Sequence, residues 1–64
     1  MKSGEIYVLK KITDPYTYNR IELIKYKGND IWKVKIIQKN ILTFGSYTEM
    51  IGATIYEYYK LENQ

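Results

Sequence analysis

The chain has 64 residues, ten Lys and Arg against seven Asp and Glu, and neither cysteine nor histidine. At that length folding buries only about 60% of the surface of the unfolded chain, so the core is small and consistent local pattern must specify it. The missing residue types exclude zinc fingers, iron–sulfur ligation, thiol nucleophiles and imidazole general bases, and a cysteine-free chain suits the reducing cytoplasm.

Residues 1–40 carry nine Lys and Arg against four Asp and Glu, and residues 41–64 carry one against three, so the first part is basic and the second mildly acidic. An anionic partner would suit the basic part; a solvated, lysine-rich surface explains it as well. Near the N-terminus the apolar run Ile6-Tyr7-Val8-Leu9 is far shorter than a signal-peptide core or a membrane span. The immediate entry into patterned sequence after Met1 is expected of a complete small protein with one domain over residues 1–64.

Residues 5–12 read as the first strand, rich in β-branched and aromatic side chains. Thr13-Asp14-Pro15 ends it, and residues 13–19 form a loop, because Pro15 cannot donate to a ladder and restricts the residue before it.

The clearest local signal is RIELIKYKGNDIWKVKII, two alternating runs around Lys27-Gly28-Asn29-Asp30, which predicts a β-hairpin. A two-residue type II′ turn at Gly28-Asn29 sets Lys25 opposite Trp32, Leu23 opposite Val34, Ile21 opposite Ile36 and Glu22 opposite Lys35. That register gives one apolar face and one of unlike charge pairs. A three-residue loop would set Lys25 against Lys33 and Glu22 against Ile36, and is disfavoured on both counts. The expected core is Ile21, Leu23, Trp32, Val34 and Ile36, with Trp32 over the stem of Lys25.

A strand from Ile41 to about Thr48 follows. Ser46-x-x-Glu49 has the form of a capping box, and one or two helical turns are expected between about Ile51 and Glu57, although Gly52 and the β-branched residues favour an extended reading. A last strand covers Tyr58 to Leu61. The predicted fold is all-β, a small five-stranded barrel with a short helical turn before the last strand.

That layout resembles the Src-homology-3-like (SH3-like) barrels. The segments GEIYVLKK, DPYTYNR, IWKVKI and IYEYYKL are similar in particular to small barrel proteins encoded by phages and prophages of low-GC Gram-positive bacteria. The resemblance implies a fold more than a role, since most of that group has no assigned function. It departs from the eukaryotic signalling domains in having one tryptophan and no acidic run in the first loop, which speaks against their proline-rich ligands.

No catalytic residue, metal site or cofactor site is readable. Each of the seven carboxylates has an ordinary explanation: Glu22 pairs with Lys35, Asp14 and Asp30 belong to turns, and Glu49 caps. The four glycines form no phosphate-binding loop.

Two binding readings remain. The first is a protein partner, with the function of a non-catalytic binding protein that occupies and inhibits a host protein. Its candidate residues are Tyr16, Tyr18 and Arg20 in and after the first loop, and Ile24, Tyr26 and Ile31 on the hairpin's outer face. Either group has an alternative as packing, one as a plug under the loop and the other as a second core layer. The second reading is nucleic-acid binding by a basic face, Lys10, Lys11, Lys33, Lys35 and Lys39, with Tyr7 or Tyr26 as the stacking ring. Tyr56, Tyr58 and Tyr59 read as core and edge packing.

Overall fold

The structure, a computed structural model, describes residues 1–11, 18–37 and 45–62. Its elements are β1 (Ile6–Leu9), β2 (Arg20–Gly28), β3 (Ile31–Ile36), β4 (Tyr47–Ile51), α1 (Gly52–Tyr58) and β5 (Tyr59–Leu61). All five strands form one antiparallel sheet in the order β4-β3-β2-β1-β5. The first strand is shorter than expected, and β4 runs past the expected end at about Thr48 to Ile51; Ile12 and residues 41–44, where the expected start of that strand falls, lie outside the described residues.

The edge strands β4 and β5 are joined by α1 alone. Seven helical residues advance about 10 Å at about 1.5 Å each, whereas four strand spacings of about 4.8 Å would set the edges of a flat sheet about 19 Å apart. The sheet therefore curls, bringing its edges toward each other around the apolar face. Directly opposed residues share a face, so the pairs Tyr7↔Ile21, Leu9↔Tyr59, Leu23↔Val34 and Trp32↔Met50 mark the concave side. Ile21, Leu23, Trp32, Val34, Ile55 and Tyr59 form the buried cluster there, and Tyr7, Leu9, Tyr18 and Met50 pack around it. All five expected core residues are buried. Ile55 and Tyr59 join them because α1 lays that side against the sheet.

The hairpin register is correct at its base and wrong at its tip. Ile21↔Ile36, Glu22↔Lys35 and Leu23↔Val34 pair as predicted. The register then shifts between Leu23 and Lys25, and Lys25 faces Lys33 while Tyr26 faces Trp32. A second shift between Tyr26 and Gly28 leaves Asn29-Asp30, not Gly28-Asn29, as the turn. Both turn residues have positive φ, 53° and 61°, the type I′ signature that Asn and Asp tolerate, and Gly28 before them sits at 89°. The two irregularities bend β2. They trade a charge clash at Lys25 and Lys33 for a tyrosine, instead of a lysine stem, over Trp32.

The helix is too short to be stable alone. Ser46 and Glu49 do not cap it; both precede or lie in the β4 segment, and the N-cap position, Ile51, offers no side-chain hydrogen bond. Asp30 supplies the cap from the hairpin turn: its backbone carbonyl accepts from Gly52 N at 2.7 Å, and its Oδ2 accepts from Ala53 N at 3.0 Å. Glycine at 52 permits this approach, because a Cβ there would stand 2.3 Å from Asp30 Oδ1.

Candidate functional site

The pleat of β3 sorts its residues. Trp32, Val34 and Ile36 point into the curl, and Ile31, Lys33 and Lys35 point outward with their cross-strand partners Ile51, Glu49 and Tyr47 on β4. On the β2 side the outward partners are Glu22 and, after the register shift, Lys25. The convex face of β2, β3 and β4 thus carries lysines 25, 33 and 35 beside Glu22 and Glu49. Lys27 adds a fourth cation, which forms an ion pair with Glu49.

On the edge strand of this face, at the start of β4, stands Tyr47, 54% exposed. The Nζ of Lys33 lies 4.8 Å and that of Lys35 5.8 Å from its ring centroid, both within cation–π range. Lys33 and Lys35 were expected on a basic face, and the structure brings them together. The aromatic ring they share is not one of those expected. Tyr7 lies on the concave side, half-buried, with its hydroxyl donating to Glu5 Oε1 at 3.4 Å. Burial, and then the Glu5 carboxylate, hold its phenol above the ordinary value. Lys10 and Lys11 sit apart from this face at the end of β1, where Lys10 Nζ donates to the carbonyl of Tyr56 at 3.3 Å. Lys39 lies outside the described residues.

The hairpin tip forms a second region. Tyr26 packs on Trp32 with ring centroids 5.2 Å apart and planes tilted by 58°, and its hydroxyl accepts from Asp30 N at 2.9 Å. Although so held, Tyr26 is 50% exposed. Its ring shares the concave side with Trp32, a correction to the outer face expected from simple alternation. On the convex side Ile31, half-buried, pairs with the exposed Ile51.

The first-loop candidates behave differently. Tyr16 lies outside the described residues. Tyr18 packs against the core, and its carbonyl accepts from the Tyr59 hydroxyl at 2.6 Å. Burial, and then Tyr18 beside it, raise the Tyr59 phenol above its ordinary value. Arg20 turns to the end of the chain, where Nε donates to Glu62 Oε1 at 2.7 Å. Of the expected protein-binding set, then, Tyr26 and Ile31 lie at the tip on opposite sides of the sheet, Ile24 sits at the register shift in β2, and Tyr18 and Arg20 are engaged elsewhere.

Sequence reasoning missed Tyr47 and Ile51. Their signal was the alternation of Tyr47-Thr48-Glu49-Met50-Ile51, which runs exposed and half-buried by turns and marks a strand with one open face. Reading Ser46 and Glu49 as a cap ended the expected strand near Thr48 and hid its continuation to Ile51.

Among the described residues no group of three or more His, Cys, Asp or Glu side chains could hold a metal ion, and no helix is long and apolar enough to cross a membrane. An open cleft of about 630 Å³ lined by Met1, Lys10, Asp30 and Tyr56 among others contains two carboxylates, Asp30 and Glu57; that of Asp30 accepts from the helix. Compared with known proteins, the chain matches no family, no curated protein and no solved structure.

Proposed function

We propose that this chain is a non-catalytic binding protein that acts by occupying the surface of a protein partner, with the hairpin tip as its contact. The observation that carries the reading is Tyr26, half exposed yet fixed by Trp32 and by the Asp30 amide. An exposed aromatic ring that is already ordered loses little entropy on binding, and tyrosine is among the residues that dominate interface energy. Ile51, exposed and paired with Ile31 on the convex side of the same end of the hairpin, adds apolar surface there.

In this reading the curled sheet, with its first and last strands adjacent and a helical segment before the last, is a small SH3-like barrel. The sequence resemblance to phage and prophage barrels supports a host protein in the cytoplasm as the partner, and inhibition by covering a functional surface as the mode of action.

The test is capture from host lysate by the tagged protein, followed by calorimetric titration of the captured species with Tyr26→Ser and Ile51→Ser variants. Affinity lower by about 2 kcal/mol or more in either variant, with an unchanged thermal melt, supports the tip as a hot spot. Wild-type affinity in both variants moves the interface off the tip.

A further inference from the structure

We infer that the convex face of β3 and β4 binds single-stranded nucleic acid, with Tyr47 as the stacking platform and Lys33, Lys35 and Lys25 as phosphate contacts. This goes beyond the protein-binding reading, is built on Tyr47 and the lysines rather than on the hairpin tip, and does not depend on it.

Three observations converge. The first is the opposition of Lys25 and Lys33 across β2 and β3. Like charges directly opposed on a sheet cost stability, and without the shift the base register would have set Lys33 opposite Ile24 and Lys25 opposite Trp32. A bound anion relieves that repulsion. The second is the balance of the face: lysines 25, 27, 33 and 35 outnumber Glu22 and Glu49, and Glu49 is already taken by Lys27. The third is Tyr47, whose half-exposed ring stands within cation–π distance of two ammonium groups.

That combination selects the ligand. Lysines alone would suit any polyanion, but a tyrosine ring between them adds a surface on which an unpaired base can stack. An exposed cation–π contact is weaker than a base stacked on tyrosine, so an arriving base displaces one ammonium, which is then free for the adjoining phosphate. Lys33 and Lys35 are two residues apart on one strand, about 6.8 Å, and point the same way, so both track one backbone past the ring. In a duplex the bases are stacked on each other and present no free face, and an acidic peptide has no base to offer the ring.

Fluorescence anisotropy of a labelled single-stranded oligonucleotide of about 12 residues, which spans a typical site, tests the inference at about 20 and about 150 mM salt. A duplex of the same length and a polyglutamate peptide serve as competitors. Single strands are expected to bind and to outcompete both. Tyr47→Ala is expected to weaken binding about 5- to 150-fold with an unchanged salt slope, and Tyr47→Phe to preserve it. Tyr47→Ile, which keeps strand propensity without a ring, guards against a folding artefact and is expected to match Tyr47→Ala. Lys33→Gln with Lys35→Gln should reduce the slope of log affinity against log salt by about 1.4, since each lost single-strand contact accounts for about 0.7. Ile51→Ser, a tip variant, should bind the oligonucleotide as the wild type does, so failure of the protein-binding reading leaves this result intact. No binding at low salt overturns the inference. So does wild-type affinity in the Tyr47→Ala and Tyr47→Ile variants, or equal competition by duplex or polyglutamate, either of which reduces the face to a generic basic surface.

Discussion

The base and the tip of the β2–β3 hairpin are made from the same alternating sequence, yet they obey different rules. At the base, Ile21, Leu23, Val34 and Ile36 are essentially inaccessible to solvent, and Glu22 faces Lys35 on the other side. Local preference and tertiary packing agree there. At the tip, two register shifts set Lys25 against Lys33, leave Tyr26 half exposed and send Asp30 to a helix over twenty residues away. What wins at the tip is burial of Trp32 under a tyrosine, together with a turn that suits Asn29-Asp30. The base is therefore explained by folding alone. The tip carries features that folding only tolerates, and such places are where function is sought first.

The comparison can be broken most severely at Trp32, the largest buried side chain of the tip. Trp32→Ala is expected to cost about 3–5 kcal/mol in denaturant titration, against about 0.5–1.5 kcal/mol for Ile36→Val at the base. A cost at Trp32 no larger than at Ile36 would show that the tip contributes little to the core. Gly52→Ala comes next, at about 1–3 kcal/mol, because the new methyl group meets the Asp30 carboxylate. Asp30→Ala should cost about 0.5–2 kcal/mol by removing the cap. The two changes act on one contact, so the double variant should lose clearly less than their sum; strict additivity would mean that the cap and the glycine are unrelated.

Tyr59→Phe removes the hydrogen bond to Tyr18 and should cost about 0.5–1.5 kcal/mol. The same residue predicts a pH effect. Its phenol titrates higher in the folded than in the unfolded chain. Its contribution is therefore complete below the unfolded value, about 10, and is lost as pH rises from there through the folded value. Melting temperatures recorded upward from pH 9 should fall beyond about pH 10, and fall less steeply in Tyr59→Phe. The smallest expected effect has the opposite sign: Lys25→Glu should stabilise the protein by about 0.2–1 kcal/mol by pairing with Lys33, while weakening oligonucleotide binding. A variant that is no more stable would mean that Lys25 and Lys33 do not repel in the wild type.

These contrasts also explain what the sequence made legible. The apolar alternation of Ile21, Leu23, Val34 and Ile36 is a period-two signal, and it predicted the base register and the core face. The register shift at Ile24 was not legible, because each candidate register was weighed for the whole hairpin, and a bulge lets one strand use both in turn. Asp30 read as a turn residue, which it is; its second task depends on a helix that is remote in sequence. Of the candidate site, Lys33 and Lys35 could be placed on one face from β3 alone. Tyr47 fell within the expected strand, but its place beside Lys35 required the pairing of β4 with β3, which no local pattern gives.

The borrowed cap of α1 also imposes an order on folding. Residues 52–58 bring no capping side chain, no acidic residue in the first turn and no basic residue in the last, so an excised peptide of that segment has little reason to be helical. The acceptors that complete its first turn exist only after Asn29 and Asp30 have adopted left-handed backbone conformations and closed the hairpin. Substitutions in α1 should therefore alter the unfolding rate far more than the folding rate, while those at the Asn29-Asp30 turn should slow folding itself.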